Sequence, residues 1–435
     1  MFRKIEVFRT LLIFLGISYT VFATNHFFDK NAIGKNNGSG WRNAWVNFKN
    51  IDWSSISPGD TIFISGGNDS TIYNEMLSIK SNGSADKRIV VMKGTDTGHN
   101  GNVIIDGEGI IADGIKISKS NYIVIKGIEL RNSKRGLIKI THSNYILIED
   151  CRMQIYGRAG VFIQYSTGSE VRNCNIETGS YVGIQTDGIY SQYTVNNVYD
   201  HNYIVINNSE PSGHDDCIQS YKDNNLTIHS NYCEQNNNKT SNAQGIYATA
   251  PTGGVFRFYN NIVNMGNAKS NGMGFQKLGG TGSIEMIENT LYGMRSNSLL
   301  FLTDTDDPVI KNNIIYSEGT AFAAKLSDWN GNPSNINNNL IYVPNSNKNK
   351  VWDFNGDSKS WSQWKALGFD AQGKNADPRF KNIAGRDFSL QAGSPAIDAG
   401  ANLGSPYNID MFGVKRPLGA AYDIGSFEWT GSTKN

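Results

Sequence analysis

The sequence predicts an all-β chain wound as a parallel β-helix and closed by a C-terminal segment. One pattern, apolar-x-apolar-x-Asn-apolar and its near variants, recurs nine times between Ile123 and Leu340. No stretch shows helical periodicity, and short alternating runs are divided by Gly, Asn, Asp or Ser. The composition is that of turns rather than helices: 46 glycines and 53 asparagines in 435 residues, with only 18% charged. Such strands cannot bury an apolar face alone, whereas coils stacked at about 4.8 Å share one continuous core.

Taken in order, residues 1–23 have the layout of a secretory signal peptide. Arg3, Lys4 and Arg9 precede an apolar run from Leu11 to Val21, then Val21-Phe22-Ala23. The run is short for a membrane span, and no second apolar stretch of that kind follows. The expectation is a secreted chain, extracellular or periplasmic, acting as a monomer with no membrane span after processing. Residues 24–343 are read as the β-helix with its entry coils, and 344–435 as a segment capping the open end of the cylinder. Setting Ile128, Arg152, Asn175, Asn202, Asn231, Asn261, Asn289, Asn313 and Asn339 as equivalent gives steps of 24, 23, 27, 29, 30, 28, 24 and 26. The asparagines from Asn202 onward read as an internal ladder at a bend. Cys151 and Cys174 read as stacked buried thiols, while Cys217 and Cys233 can be neither paired nor separated from sequence.

Forty Lys plus Arg against 39 Asp plus Glu give a net charge of +1. This lacks the basic excess of a nucleic-acid binder. Function must therefore reside in local clusters. Aligning inward residues Ile115, Ile138, Ile163, Ile189, Ile218, Ile246 and Phe275 places Lys116, Lys139, Gln164, Tyr190, Gln219, Tyr247 and Gln276 in one outward row. Amides for hydroxyls, aromatic faces for sugar rings and ammonium groups for carboxylates make that row a candidate glycan strip. Asp187-Gly188-Ile189 and Asp216-Cys217-Ile218 share a register on adjacent coils, with Asp215 and His214 beside them. Carboxylates that close raise a pKa or share a cation; the same residues also fit Asp-Gly and Asp-Asp turns whose carboxylates cap amides. His142, His201 and His229 read as structural, and no phosphate loop, nucleophile elbow or zinc spacing occurs.

Gly40-Trp41, Pro58-Gly59-Asp60-Thr61-Ile62 and Val103-Ile104-Ile105-Asp106-Gly107 resemble the entry coils of secreted right-handed β-helix proteins. Ala376-Asp377-Pro378-Arg379-Phe380, Gly393–Gly400 and Tyr422–Glu428 resemble the closing segment that follows them. Asp187-Gly188-Ile189, Asp215-Asp216-Cys217-Ile218, Asn271-Gly272 and Lys277–Gly282 resemble the polygalacturonase family of inverting hydrolases. That likeness implies aspartates as general acid and as base for a water, across a gap of about 6.5–9.5 Å. The family's Gly-His-Gly is replaced by Gln244-Gly245-Ile246, and its Arg-Ile-Lys falls on Gly274-Phe275-Gln276. The chain is similar also to β-helix polysaccharide lyases. This likeness implies Asp187, Asp215 and Asp216 as calcium ligands, with Lys277 or Arg158 as the base that removes the proton beside a uronate carboxylate. The expected partner is thus an acidic polysaccharide or oligosaccharide, cleaved by elimination or hydrolysis. The rival expectation is a non-catalytic glycan-binding or cell-surface module.

Overall fold

The computed structural model describes residues 23–179, 185–207, 214–236, 243–294, 298–319, 322–329, 331–344 and 351–431. All but the last residue of the expected leader lies outside them. Three long parallel sheets hold the described chain between Asn25 and Lys359. Sheet A has twelve strands, from Asn25–Phe28 to Ile336–Asn337, and sheet B eleven, from Ser70–Tyr73 to Leu340–Tyr342. Sheet C has twelve, beginning at Leu77–Ile79 and ending on Trp352–Phe354 with an antiparallel partner, Asp357–Lys359. In each sheet a strand pairs with its counterpart one coil away, so like residues stack. In sheet C the inward stack is Ile115, Ile138, Val161, Ile189, Ile218, Ile246, Met273, Leu300 and Ala324. All nine are fully buried.

The asparagine ladder stands at the bend between sheets A and B. Asn231 Oδ1 accepts from both the backbone N–H and the side-chain amide of Asn202, at 3.0 Å each. The arrangement repeats through Asn261, Asn289, Asn313 and Asn339 and ends on Asp370 Oδ1, which accepts from Asn339. The residue before each member is in the left-handed region, for example Asn260 at φ 55°, Asn312 at 57° and Asn338 at 58°. Asparagine tolerates that region best among residues with a Cβ. The two early equivalences shift by one residue: Cys151 and Cys174 hold the ladder position, since Cys174 N donates to Asn202 Oδ1 and Arg152 pairs with Asn175 inside sheet B. Both cysteines are free and buried. Asn231→Leu would strand the amide of Asn202 and the carbonyl of Tyr199 that its side chain serves. Equilibrium unfolding should show a loss of about 1–3 kcal/mol.

Inside the cylinder Cys217 of sheet C is bonded to Cys233 of sheet B. The C-terminal end of the core is closed by Trp352, Trp364 and Phe369, stacked at 4.1 and 3.8 Å. The chain beyond does not stay at that end as a cap. It folds back along the outer face of sheet B, where Ile262, Tyr292, Ile314 and Leu340 meet Phe380, Phe388, Leu390, Met411 and Ile424. Arg416 anchors it, buried between Glu288 and Glu428.

Candidate functional site

The candidate site lies where the chain turns from sheet B into sheet C. Here strict alternation fails. A Cβ on Gly188 would stand 2.5 Å from the Ile204 side chain in the core, and Cys217 reaches Cys233 inside. Positions 188 and 217 therefore point inward, and so do Ile189 and Ile218 after them. Two consecutive inward residues leave Asp187 and Asp216 on the outer side of the bend.

Each carboxylate uses one oxygen as a backbone cap. Asp187 Oδ1 accepts from Asp216 N at 3.1 Å, Asp216 Oδ1 from Gln244 N at 2.8 Å and Asp215 Oδ1 from Thr186 N at 2.9 Å. Asp187, Asp216 and His214 come together here, with Asp187 Oδ2 also accepting from the Gln185 side-chain amide at 3.4 Å. One ligand atom from each of these three residues lies within 4.8 Å of the others, and His214 Nδ1 is 3.5 Å from Asp216 Oδ2. Both of those atoms lack a hydrogen bond. The cluster is thus Asp187, Asp216 and His214, and the Asp215 carboxylate is turned aside to its amide. Burial pushes Asp187 well above the usual carboxylate range, with Asp215 adding to the rise and the Asp216 amide and Arg158 opposing it. Burial followed by repulsion from Asp187 does the same to Asp216, and burial lowers His214. Oxygens this close leave no room for the water that an inverting pair holds across about 6.5–9.5 Å.

The outward row differs from its expected membership at two positions. Lys139 pairs Phe162, not Gln164, and Tyr247 pairs Gly274, not Gln276. The row runs Lys116, Lys139, Phe162, Tyr190, Gln219, Tyr247, Gly274. Gln164 and Gln276 belong to the next outward row, where Gln164 donates to Gln192 at 3.0 Å and Gln276 accepts from the Tyr247 hydroxyl. Gln219 accepts from Gln185 at 3.2 Å.

Phe162 and Tyr190, stacked at 5.1 Å, form an apolar cluster outside the main core. Cations converge on it. Arg158 lies 4.9 Å over Phe162 and 5.0 Å over Tyr190, and Lys139 Nζ lies 5.2 Å over Phe162. Burial lowers the pKa of Lys139; Asp113 opposes this, and Arg135, Lys116 and Arg158 reinforce it. Burial also pushes Tyr190 up to about 12. Phe162 and Arg135 were not singled out from sequence, although Arg135 and Arg158 recur 23 positions apart just before their strands. Arg135 bonds the fully buried Asp113 at 2.8 Å.

Lys277 is not part of this constellation. It follows the strand Asn271–Gln276, so six residues put it about 20 Å along the sheet from the row of Asp187 and Asp216. Its ammonium pairs with Asp306.

Residues 113–291 match a family model described as the right handed beta helix region. The solenoid is right-handed. Over 167 residues this chain is 31% identical to YwoF, an uncharacterized Bacillus subtilis protein; the match covers 36% of this chain and about a third, 34%, of that one. Among solved structures it is similar to pectate lyase Pel9A, with TM-score 0.60 and 15% identity over 93% of this chain and 96% of that one. XylC in complex with xylose gives TM-score 0.60 and 10% identity, covering 93% and 98% of the two chains. A rhamnogalacturonan lyase gives 0.53 and 13%, covering 84% and 92%. At these identities the likeness is one of fold. Among the described residues no helix is long and apolar enough to cross a membrane.

Proposed function

We propose that the protein is exported and cleaves a uronate-containing polysaccharide by elimination on the outer face of sheet C. The observation that carries this is the convergence of Lys139 and Arg158 on the stacked rings of Phe162 and Tyr190, where burial lowers the Lys139 pKa against the opposing pull of Asp113. Lys139 stands over an aromatic floor beside guanidinium groups suited to a sugar carboxylate. Solved structures of like fold named as pectate lyase and rhamnogalacturonan lyase support the reading. The buried Cys217–Cys233 disulfide supports an oxidising compartment.

In this reading Arg158, Arg135 and Lys116 bind uronate carboxylates, and Phe162 and Tyr190 carry the ring. Gln219 and Tyr247 bond sugar hydroxyls farther along the row. Lys139, in its amine form, is the base that removes the proton beside the carboxylate. The glycosidic C–O bond breaks as the C=C bond forms, and the departing oxygen takes a proton from solvent. Digests of uronate and neutral polysaccharides, read for reducing ends and for the absorbance of an unsaturated uronate, test this. Elimination yields both signals together. Reducing ends without absorbance mean hydrolysis, and neither signal means a binding module.

Binding itself has an electrostatic signature. Lys116→Gln with Lys139→Gln should weaken binding to a polyuronate and flatten its dependence on salt. Thermal unfolding should stay within about 1 kcal/mol of the parent, since both are only partly buried surface positions.

A further inference from the structure

The carboxylate cluster, read as part of that active site, does not fit calcium. Calcium takes six to eight oxygens in a flexible shell. Here Asp187, Asp215 and Asp216 each commit one oxygen to a backbone amide. The cluster then offers one oxygen from Asp187, whose Oδ2 also accepts from Gln185 at 3.4 Å, one from Asp216 and an imidazole nitrogen. Asp216 Oδ2 is buried without a hydrogen bond and faces His214 Nδ1, also without one. The two atoms stand 3.5 Å apart with neither bonded elsewhere, so both are available to a shared ligand. We propose that Asp187, His214 and Asp216 hold a borderline divalent ion of the zinc class in place of calcium. Imidazole nitrogen favours such ions over the hard alkaline-earth cations. Three protein ligands with a position left open are the usual form of a catalytic zinc site. Ligand atoms within 4.8 Å of one another need only a small closure to meet a shared ion at about 2.0–2.2 Å.

The test reads metal retention directly. The full chain is stripped with chelator, loaded separately with Zn2+, Mn2+ or Ca2+, desalted, and analysed for bound metal and Tm. About one Zn2+ per chain should remain with a raised Tm, and Ca2+ should remain at less than a tenth of that. His214→Gln should cut Zn2+ retention at least tenfold while leaving the metal-free Tm unchanged, because that side chain is partly exposed. Asp216→Asn should abolish retention, and His214→Gln keeps the test decisive if that variant does not fold. Equal or greater retention of Ca2+, or no metal retained by the parent, would overturn the proposal. Cleavage assayed alongside separates the two readings. Elimination by a protein that retains no zinc removes the zinc-class site and leaves the function, whereas zinc retention without cleavage does the reverse.

Discussion

Replacing Lys139 by methionine is expected to lower the rate of polyuronate elimination by about 10²- to 10⁴-fold, the usual contribution of a positioned general base. Methionine keeps most of the side-chain volume against Phe162, so Tm should hardly move. Lys139→Arg should not restore the rate, because a guanidinium stays protonated at any working pH. The pH profile carries a second signature. The base must be neutral, so the rate should rise with pH and level off below the ordinary lysine pKa of about 10.4, since burial and cations lower that of Lys139. Arg158→Gln removes one of those cations and should move the rising limb to higher pH. A Lys139→Met enzyme with undiminished rate would remove Lys139 from the chemistry.

The second large effect concerns stability. Arg416 is fully buried, 3.5 Å from both Glu288 and Glu428, and its guanidinium also bonds the carbonyls of Asp423 and Gly425. Arg416→Met would leave those acceptors unserved and two carboxyls without a counter-charge. Denaturant unfolding should show a loss of about 3–5 kcal/mol, beginning with release of the C-terminal segment from sheet B. Burial pushes Glu288 up to about 8 from an ordinary 4.5, with Arg416 opposing the rise. A carboxyl whose pKa is raised by folding stabilises fully below its unfolded pKa and loses that contribution as pH climbs through the folded value. Stability should therefore decline between about pH 4.5 and 8 in the parent and decline less in Glu288→Gln. A change under about 1 kcal/mol for Arg416→Met would show that apolar contacts alone hold the segment.

The cylinder was legible because one side chain solves the same problem on every coil: each ladder asparagine serves an amide and a carbonyl at a left-handed bend. The register of the outer row was less legible. The strand Ala159–Gln164 has two inward residues, Val161 and Ile163, and Asn271–Gln276 has Met273 and Phe275. A slip of two residues keeps the same face, so alternation cannot detect it. Asp187 and Asp216 stood out through their shared turn, but which neighbour completes the cluster depends on which way the Asp215 carboxylate turns. The lowering of the Lys139 pKa comes first from burial, and two of the cations that add to it, Lys116 and Arg158, stand on neighbouring coils, beyond the reach of any local motif. The outward apolar residues Ile262, Ile314 and Leu340 read as core, so the fold-back of the C-terminal segment onto sheet B left no separate trace.

A crystal structure of Lys139→Met with a uronate oligosaccharide bound would show where the substrate lies. The sugar should lie along the outer face of sheet C, with carboxylates on Arg158 and Arg135 and a ring against Phe162 and Tyr190. An oligosaccharide found instead in the cleft of about 640 Å³ between sheet B and the C-terminal segment, lined by Tyr203, Tyr232, Phe388 and Trp429, would contradict that placement.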